Sequence, residues 1–180
     1  MNSIVRSCVP EKAVTDTLIR IIKLSNNIWK DTPATGISKE EFMCQPFPKK
    51  NVLKGDGDGV FTDKKQLITD EYSPDKVLKD AILLGDLGVV TNSVFYPSFS
   101  MMPWHTNSDN IGIRTYFTYT NKEAIFRWRN PQTKEIITEK DEIGWTKRQF
   151  IVLNREPYLW HTVWSEGVRF AFGFNKSYKQ

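Results

Sequence analysis

Histidine and cysteine are both scarce in this sequence, with two residues of each among 180. Cys8 and Cys44 stand far apart, and neither has a second cysteine at Cys-x-x-Cys spacing or a histidine beside it. Disulfide frameworks and cysteine-based zinc sites need more of these residues at closer spacing. The scarcity therefore argues against both and predicts two ordinary reduced thiols.

Long apolar runs are also lacking. No stretch approaches the ~18 apolar residues that a membrane-spanning helix needs. Residues 1–8 contain no apolar stretch of the kind that forms the centre of a secretion signal. We therefore expect a soluble protein of the cytoplasm with no membrane partner.

Charge of one sign is not abundant either. Twenty-five Lys and Arg residues against 21 Asp and Glu give a net charge of +4, and the pI is about 9.0. This mild excess favours a small anionic ligand or partner. A nucleic-acid interface would require the basic residues to cluster. The densest basic stretch, residues 127–129, is read as strand positions beside a packing tryptophan, so nucleic-acid binding is not predicted.

The first part of the sequence, residues 1–87, is read as helical and irregular. After Pro10, apolar residues at helical spacing predict a helix that ends near Lys30. Residues 31–60 are read as irregular because proline and glycine interrupt them repeatedly. A second helix is predicted from Ser73, as N-cap, to Gly85.

From residue 88 the sequence changes character and becomes rich in β-branched and aromatic residues. Short segments of this kind, separated by Gly, Pro, Asn and Asp, predict strands. They lie at 88–99, 111–120, 123–129, 134–140, 148–153, 158–164 and 168–175. Strands that follow two helices predict a mainly β fold, a barrel or sandwich with the helices packed on its outer face. With 39% hydrophobic and 13% aromatic residues, residues 1–180 are expected to form a single domain with a β core at 88–176.

The two histidines both fall in the strand-rich part, and the surroundings of the second define two faces. A three-residue hairpin loop at 165–167 would pair Trp164 with Val168 and place Arg169 opposite Val163. Alternation along the strands then sorts the side chains. One face carries Leu159, His161, Val163, Arg169, Ala171 and Gly173, and the other carries Trp160, Trp164, Phe170, Phe172 and Phe174. We predict that the aromatic face packs under the two helices.

The opposite face combines a histidine and an arginine with two small residues that leave room for a ligand. An arginine that points into a β domain is costly unless an anion pairs with it, and the planar guanidinium suits a carboxylate. On this reasoning Arg169 has a ready purpose only if a carboxylate ligand binds.

The strand that follows His105 shows a similar alternation. Polar Arg114, Tyr116, Thr118 and Thr120 alternate with Ile113, Thr115, Phe117 and Tyr119. We assign the polar face to the interior, where Tyr116 and Arg114 are candidate partners of a carboxylate. Two alternatives stay open, since a strand tyrosine is commonly a packing residue and Arg114 could point to solvent.

Taken in order, these motifs resemble those of the 2-oxoglutarate/Fe(II)-dependent oxygenases, above all the small members encoded by tailed phages. The likeness covers about residues 93–176 and rests on the segments 102–108, 114–116, 126–128, 144–145, 160–163 and 169–171. In that family a His-x-Asp/Glu pair and a distal histidine bind iron, and an arginine shortly afterwards holds the far carboxylate of 2-oxoglutarate. The resemblance implies a double-stranded β-helix, iron ligation by His105 and His161, and a 2-oxoglutarate anchor at Arg169, with Tyr116 and Arg114 as further binding residues.

The sequence departs from the family pattern at the position of the acidic ligand, which is Asn107. An amide oxygen can coordinate a metal but brings no negative charge, so weaker iron binding is expected. Asp109 can substitute only if the chain turns sharply, because along a strand it would lie ~13 Å from His105. Three assignments remain open: Asn107, Asp109, or no third protein ligand.

Three functions compete at this point. The first is an oxygenase that uses Fe(II) and 2-oxoglutarate to hydroxylate an unknown substrate. The second is a catalytically inactive β-helix scaffold, such as a phage structural or assembly protein, since fold does not fix function and such a descendant would tolerate Asn107. The third is a sugar- or nucleic-acid-binding domain that uses Trp104, Trp128 and Trp145. The host cytoplasm is expected for the first and the virion for the second, and a homo-oligomer or a virion partner is left open.

Overall fold

The computed structural model describes residues 6–8, 10–24, 32–48, 65–66, 87–107, 111–153 and 156–177, and of residues 6–8, 24 and 65–66 it describes only the backbone. These residues form two helices, α1 (Lys12–Leu24) and α2 (Lys39–Met43). The strands are β1 (Arg6–Cys8), β2 (Lys65–Gln66), β3 (Val89–Tyr96), β4 (Ser100–His105), β5 (Gly112–Thr120), β6 (Ala124–Arg129), β7 (Ile136–Lys140), β8 (Gly144–Val152), β9 (His161–Ser165) and β10 (Arg169–Lys176). The predicted helix from Ser73 to Gly85 lies outside the described residues.

The strands form two antiparallel sheets. One has six strands in the order β1-β8-β5-β10-β3-β2, and the other has four in the order β4-β9-β6-β7. From β3 onwards the chain passes repeatedly from one sheet to the other, and only β6 and β7 follow each other within one sheet. The prediction of a mainly β fold is confirmed, and the arrangement is that of a sandwich of jelly-roll type.

The hairpin predicted between the last two strands is wrong. β9 lies between β4 and β6 in the four-stranded sheet, whereas β10 lies between β3 and β5 in the six-stranded sheet. Arg169 therefore pairs with Tyr96 and Thr120, not with Val163. The short loop that looked like a hairpin turn instead carries the chain across the sandwich. Its backbone is held by Glu166, whose N–H donates to the carbonyl of Glu123 at 2.9 Å.

The predicted assignment of side chains to inner and outer faces holds although the predicted pairing is wrong, because the inner faces of the two sheets point at each other. Val163 from β9 and Ala171 from β10 belong to one buried cluster between the sheets. Alternation along each strand decides the face whichever strand lies beside it. The predicted inner and outer sets are therefore separated correctly.

The outer face of the six-stranded sheet is covered by α1. Apolar side chains one helical turn apart, including Leu18 and Ile21, pack with Phe170, Phe172 and Phe174 in a single buried cluster. The Nζ of Lys147 on β8 is paired with the Glu11 carboxylate at the start of the helix. The prediction that these phenylalanines pack under the two helices is confirmed for the first helix, and the second lies outside the described residues.

The outer face of the four-stranded sheet is covered by the segment around α2, which the sequence predicted to be irregular. The side-chain oxygen of Ser38 accepts from the N–H of Glu41 at 3.1 Å, and the Glu41 carboxylate accepts from the N–H of Ser38 at 2.7 Å. This capping box starts a helix of only five residues. Phe42 then stacks on Trp164, so Trp164 lies under α2 and not under α1.

Trp160 also departs from the prediction. It is only partly buried, and its ring meets Phe47 edge to face at 5.7 Å between centroids. The predicted aromatic face is therefore divided between the outer faces of two sheets, because β9 and β10 belong to different sheets.

Candidate active site

A cavity of about 220 Å³ lies between the two sheets. Its lining side chains are Asn92, Tyr96, Met102, His105, Thr106, Asn107, Tyr116, Thr118, Phe126, Arg148, Phe150, His161, Val163, Arg169 and Ala171. Five of the six sequence-predicted site residues within the described parts are among them. The sixth, Arg114, is not, and the alternative ligand Asp109 lies outside the described residues.

The two histidines sit side by side in one wall of the cavity. His105 ends β4 and His161 begins β9, the two are register partners across the antiparallel pair, and their ring centroids are 4.1 Å apart. Nδ1 of His105 lies 2.8 Å from the carbonyl oxygen of Pro103, and Nδ1 of His161 lies 3.3 Å from that of Leu159. In a neutral ring, such a contact places the proton on Nδ1 and leaves the lone pair on Nε2. Metal-binding histidines are commonly oriented in this way.

Burial keeps His161 in its neutral form. The ring is 3% exposed and packs between Phe126 and Phe150, with centroid distances of 5.6 and 5.5 Å. Desolvation, and then the neighbouring His105, hold the pKa of His161 well below its ordinary value. A neutral imidazole is the form that binds a metal.

Asn107 lies next to the pair, two residues beyond His105. Its Nδ2 is 3.2 Å from Nε2 of His161, so the amide donates to the lone pair of that ring. Rotation of the amide about its last torsion would bring Oδ1 into the same space. Among the described residues no group of three His, Cys, Asp or Glu side chains could hold a metal ion. In that part of the chain, two imidazoles and an amide are therefore the donor set to be tested.

Arg169 lines the same cavity but already has an anionic partner. Its Nε donates to Oδ2 of Asp141 at 3.0 Å, and Nη1 of Arg148 donates to the other carboxylate oxygen, Oδ1. The Asp141 side chain is 1% exposed. Burial alone would raise the pKa of Asp141, but Arg169 and Arg148 outweigh it and hold that pKa below its usual value. The expectation that Arg169 needs a bound ligand as its counterion is therefore wrong, because the protein supplies one.

The other two candidate ligand-binding residues differ in where they lie. Tyr116 lines the cavity and its ring stacks on Phe150 at 5.8 Å. Arg114 is 2% exposed, so it does not point to solvent, and its Nη1 donates to Oγ1 of Thr91 at 2.6 Å. Its guanidinium carbon is 5.9 Å from the centre of the Tyr116 ring. Arg114 thus lies behind Tyr116 and does not line the cavity.

Sequence reasoning missed Arg148 and Tyr96, which line the cavity, and Asp141, which pairs with its two arginines. Arg148 could have been found, since alternation along β8 puts it on one face with Phe150 and Val152. Tyr96 is buried, and desolvation raises its pKa to about 12, so its hydroxyl stays protonated. Asp141 could not have been found from the sequence, because the charged segment of residues 140–142 is typical of a solvated turn.

The three tryptophans of the third competing function are engaged in packing. Trp104 and Trp128 are 2% and 6% exposed. The ring of Trp145 meets that of Tyr119 at 5.4 Å. The faces of Trp104 and Trp128 are therefore covered by protein and not open for stacking on a sugar or a base.

Comparisons with known proteins give little beyond this geometry. No family model matches the chain, and no curated protein matches it. Among solved structures it is similar to a prolyl-4-hydroxylase of Pseudomonas putida, with 8% identical residues over 97% of this chain and 88% of that one, and a TM-score of 0.43. A likeness at this level carries no argument about the site. No helix in the part of the chain that the structure describes is long and apolar enough to cross a membrane.

Proposed function

We propose that the chain is an Fe(II)/2-oxoglutarate-dependent oxygenase-like protein that hydroxylates a substrate still to be found. The observation that carries the proposal is the convergence of His105, Asn107, His161, Tyr116 and Arg169 on one cavity. The crossing of the chain between the sheets supports a double-stranded β-helix as the core. The family resemblance of the sequence is supported by the positions of three residues: a histidine ends β4, another begins β9, and an arginine begins β10.

In this proposal each residue has a separate task. His105 and His161 offer imidazole nitrogens to the iron, and Asn107 offers an amide oxygen. Arg169 binds the far carboxylate of 2-oxoglutarate, and the hydroxyl of Tyr116 adds a hydrogen bond. When bound, Fe(II) and 2-oxoglutarate supply the oxidising chemistry, and the protein holds them in an enclosed cavity.

A catalytically inactive scaffold, such as a phage structural or assembly protein, is the second candidate. Two observations favour it. The amide of Asn107 already donates to the nitrogen of His161 that a metal would use. Asp141 already neutralises Arg169. A site in which His161 and Arg169 are already paired within the protein is what a β-helix that had lost its metal would retain.

Asn107→Asp separates the two candidates. If the proposal is correct, the restored carboxylate should tighten Fe(II) binding about tenfold or more, because an anionic oxygen is a much better ligand for a dication than an amide oxygen. If the protein is a scaffold, the variant does not bind Fe(II), and the new carboxylate raises the pKa of His161 instead. Calorimetric titration with Fe(II) under argon measures the difference.

The matched control is Asn130→Asp, which adds the same charge away from the cavity. Oδ1 of Asn130 accepts from the N–H groups of Gln132 and Thr133 in the β6–β7 turn, and an aspartate can keep both contacts. Iron affinity should not change in this variant. If neither the parent nor Asn107→Asp binds Fe(II), the oxygenase proposal is wrong.

Arg169→Ala tests the anchor. The variant should bind 2-oxoglutarate about 10- to 150-fold more weakly, the equivalent of the ~1.5–3 kcal/mol of a charge-assisted hydrogen bond. Asp141 keeps Arg148 as a partner, so the fold should persist. Iron binding should also persist, because it depends on the histidines.

The comparison is made by titrating 2-oxoglutarate into the Mn(II)-loaded proteins, with Arg129→Ala as control. The guanidinium of Arg129 lies over Phe47 on the outer face, 4.2 Å from the ring centre. Unchanged affinity in Arg169→Ala would show that the anchor is assigned to the wrong residue.

A further inference from the structure

Arg148 is a buried cation that lines the cavity and has one unused donor. The residue is 2% exposed and lies on β8, where its register partner on β5 is Tyr116. Nη1 donates to Asp141 and Nε donates to Glu139 at 3.3 Å. Nη2 is buried and has no hydrogen-bond partner. The guanidinium plane is therefore fixed by two carboxylates, while its third nitrogen has none.

An unpaired donor on a buried charged group is unfavourable unless something fills its place. Arg148 also lines the cavity that contains the histidines and Arg169. A ligand atom in that cavity is thus a natural acceptor for Nη2. Guanidinium donors favour a carboxylate oxygen in this position.

The charges around Asp141 also favour a bound anion. Arg148 and Arg169 hold opposite oxygens of one carboxylate, so the two guanidinium groups are close neighbours. Among the described residues, the other carboxylate in contact with these guanidinium groups is that of Glu139, whose side chain is 29% exposed and therefore partly screened by water. Two deeply buried cations thus face a single deeply buried anion.

We propose that Arg148 is a second anion-binding residue of the cavity and that it selects a dicarboxylate over a monocarboxylate. The far carboxylate of the ligand would receive the Nη2 hydrogen bond of Arg148 while it also contacts Arg169. The identity of the ligand as a 2-oxo dicarboxylic acid rests on the proposed function, whereas the preference for a second carboxylate rests on Arg148 itself.

The test compares two ligands of equal chain length. 2-Oxoglutarate and 2-oxopentanoate differ only in the terminal carboxylate, and each is titrated into the Mn(II)-loaded protein. The parent should prefer 2-oxoglutarate, and Arg148→Gln should reduce that preference about tenfold or more by weakening 2-oxoglutarate alone. Glutarate titrated without metal reports on the same carboxylate and needs no metal site.

Two further variants control for structural damage. Glu139→Gln removes the exposed partner of the same guanidinium and leaves Nη2 in place, so the preference should stay. Arg148→Lys keeps a positive charge beside Asp141 but loses the planar fork of the guanidinium. It should therefore fold even if Arg148→Gln does not, and it should still show a reduced preference for 2-oxoglutarate. Thermal melting of each variant shows which of them are folded.

The outcomes separate this inference from the oxygenase proposal. If the parent shows no preference between the two oxo acids, or if folded Arg148 variants keep it in full, the inference is overturned while metal and oxo-acid binding still support an oxygenase. If no metal binds but glutarate binds and is lost in the Arg148 variants, the inference holds and the oxygenase proposal falls. If glutarate and both oxo acids fail to bind, the inference is overturned as well.

Discussion

Replacing Phe172 by alanine is expected to lower the free energy of unfolding by ~3–5 kcal/mol, because it removes a fully buried aromatic ring. The side chain has no exposed surface and packs against α1 and, at 6.3 Å between centroids, Trp145. For a protein of this size the loss corresponds to a fall in melting temperature of roughly 6–20 °C. Urea unfolding at equilibrium measures it directly.

Ile143→Ala is the control for that substitution. The isoleucine is 74% exposed in the loop between β7 and β8, so its truncation should change the unfolding free energy by no more than about 0.5 kcal/mol. Phe172 lies on the sheet face opposite the cavity, so native Phe172→Ala protein should keep its affinity for Fe(II) and 2-oxoglutarate. A variant that melts like the parent but binds ligand poorly would mean that the two faces have been exchanged.

Alternation within strands was the most reliable information in the sequence. It separated Phe170, Phe172 and Phe174 from His161 and Arg169 without any knowledge of which strands are neighbours. The face of a side chain is a local property of an extended backbone, so a short segment contains it. Most strands from residue 88 onwards could be predicted because strand character, too, is contained in a short segment.

Strand pairing could not be predicted in the same way. The loop at 165–167 has the residues of a tight hairpin turn, yet it joins strands of different sheets. Which strands become neighbours is decided by packing across the whole sandwich, and no local pattern reports it. β4 was also missed, since Pro103 interrupts a segment that otherwise has strand character.

The candidate site was predictable only in part. His105, His161 and Arg169 could be proposed from their order and from one face of the predicted strands. The counterion of Arg169 could not, because Asp141 reaches it from a loop between two sheets. That carboxylate alters the energetics of the site, since a ligand must bind beside an arginine that is already paired.

Asp141→Asn is expected to destabilise the protein by about 3–5 kcal/mol, because it leaves Arg148 and Arg169 buried without their shared carboxylate. Asparagine has nearly the same shape, so the loss would come from charge and not from packing. The measurement is the free energy of unfolding in urea at pH 7. Asp16→Asn is the control: its partner Lys12 is exposed at the surface of α1, and breaking such a pair should cost at most about 1 kcal/mol.

The same substitution should also change how stability depends on pH. The pKa of Asp141 is lower in the folded protein than in the unfolded chain, where an aspartate titrates near ~3.9. The carboxylate therefore contributes its stability above that value and loses it as the pH falls through the folded pKa. The parent should lose stability below about pH 4, and Asp141→Asn should lack that part of the decrease. Equal slopes in both proteins between about pH 5 and about pH 2 would show that Asp141 is not the buried carboxylate that holds the two arginines.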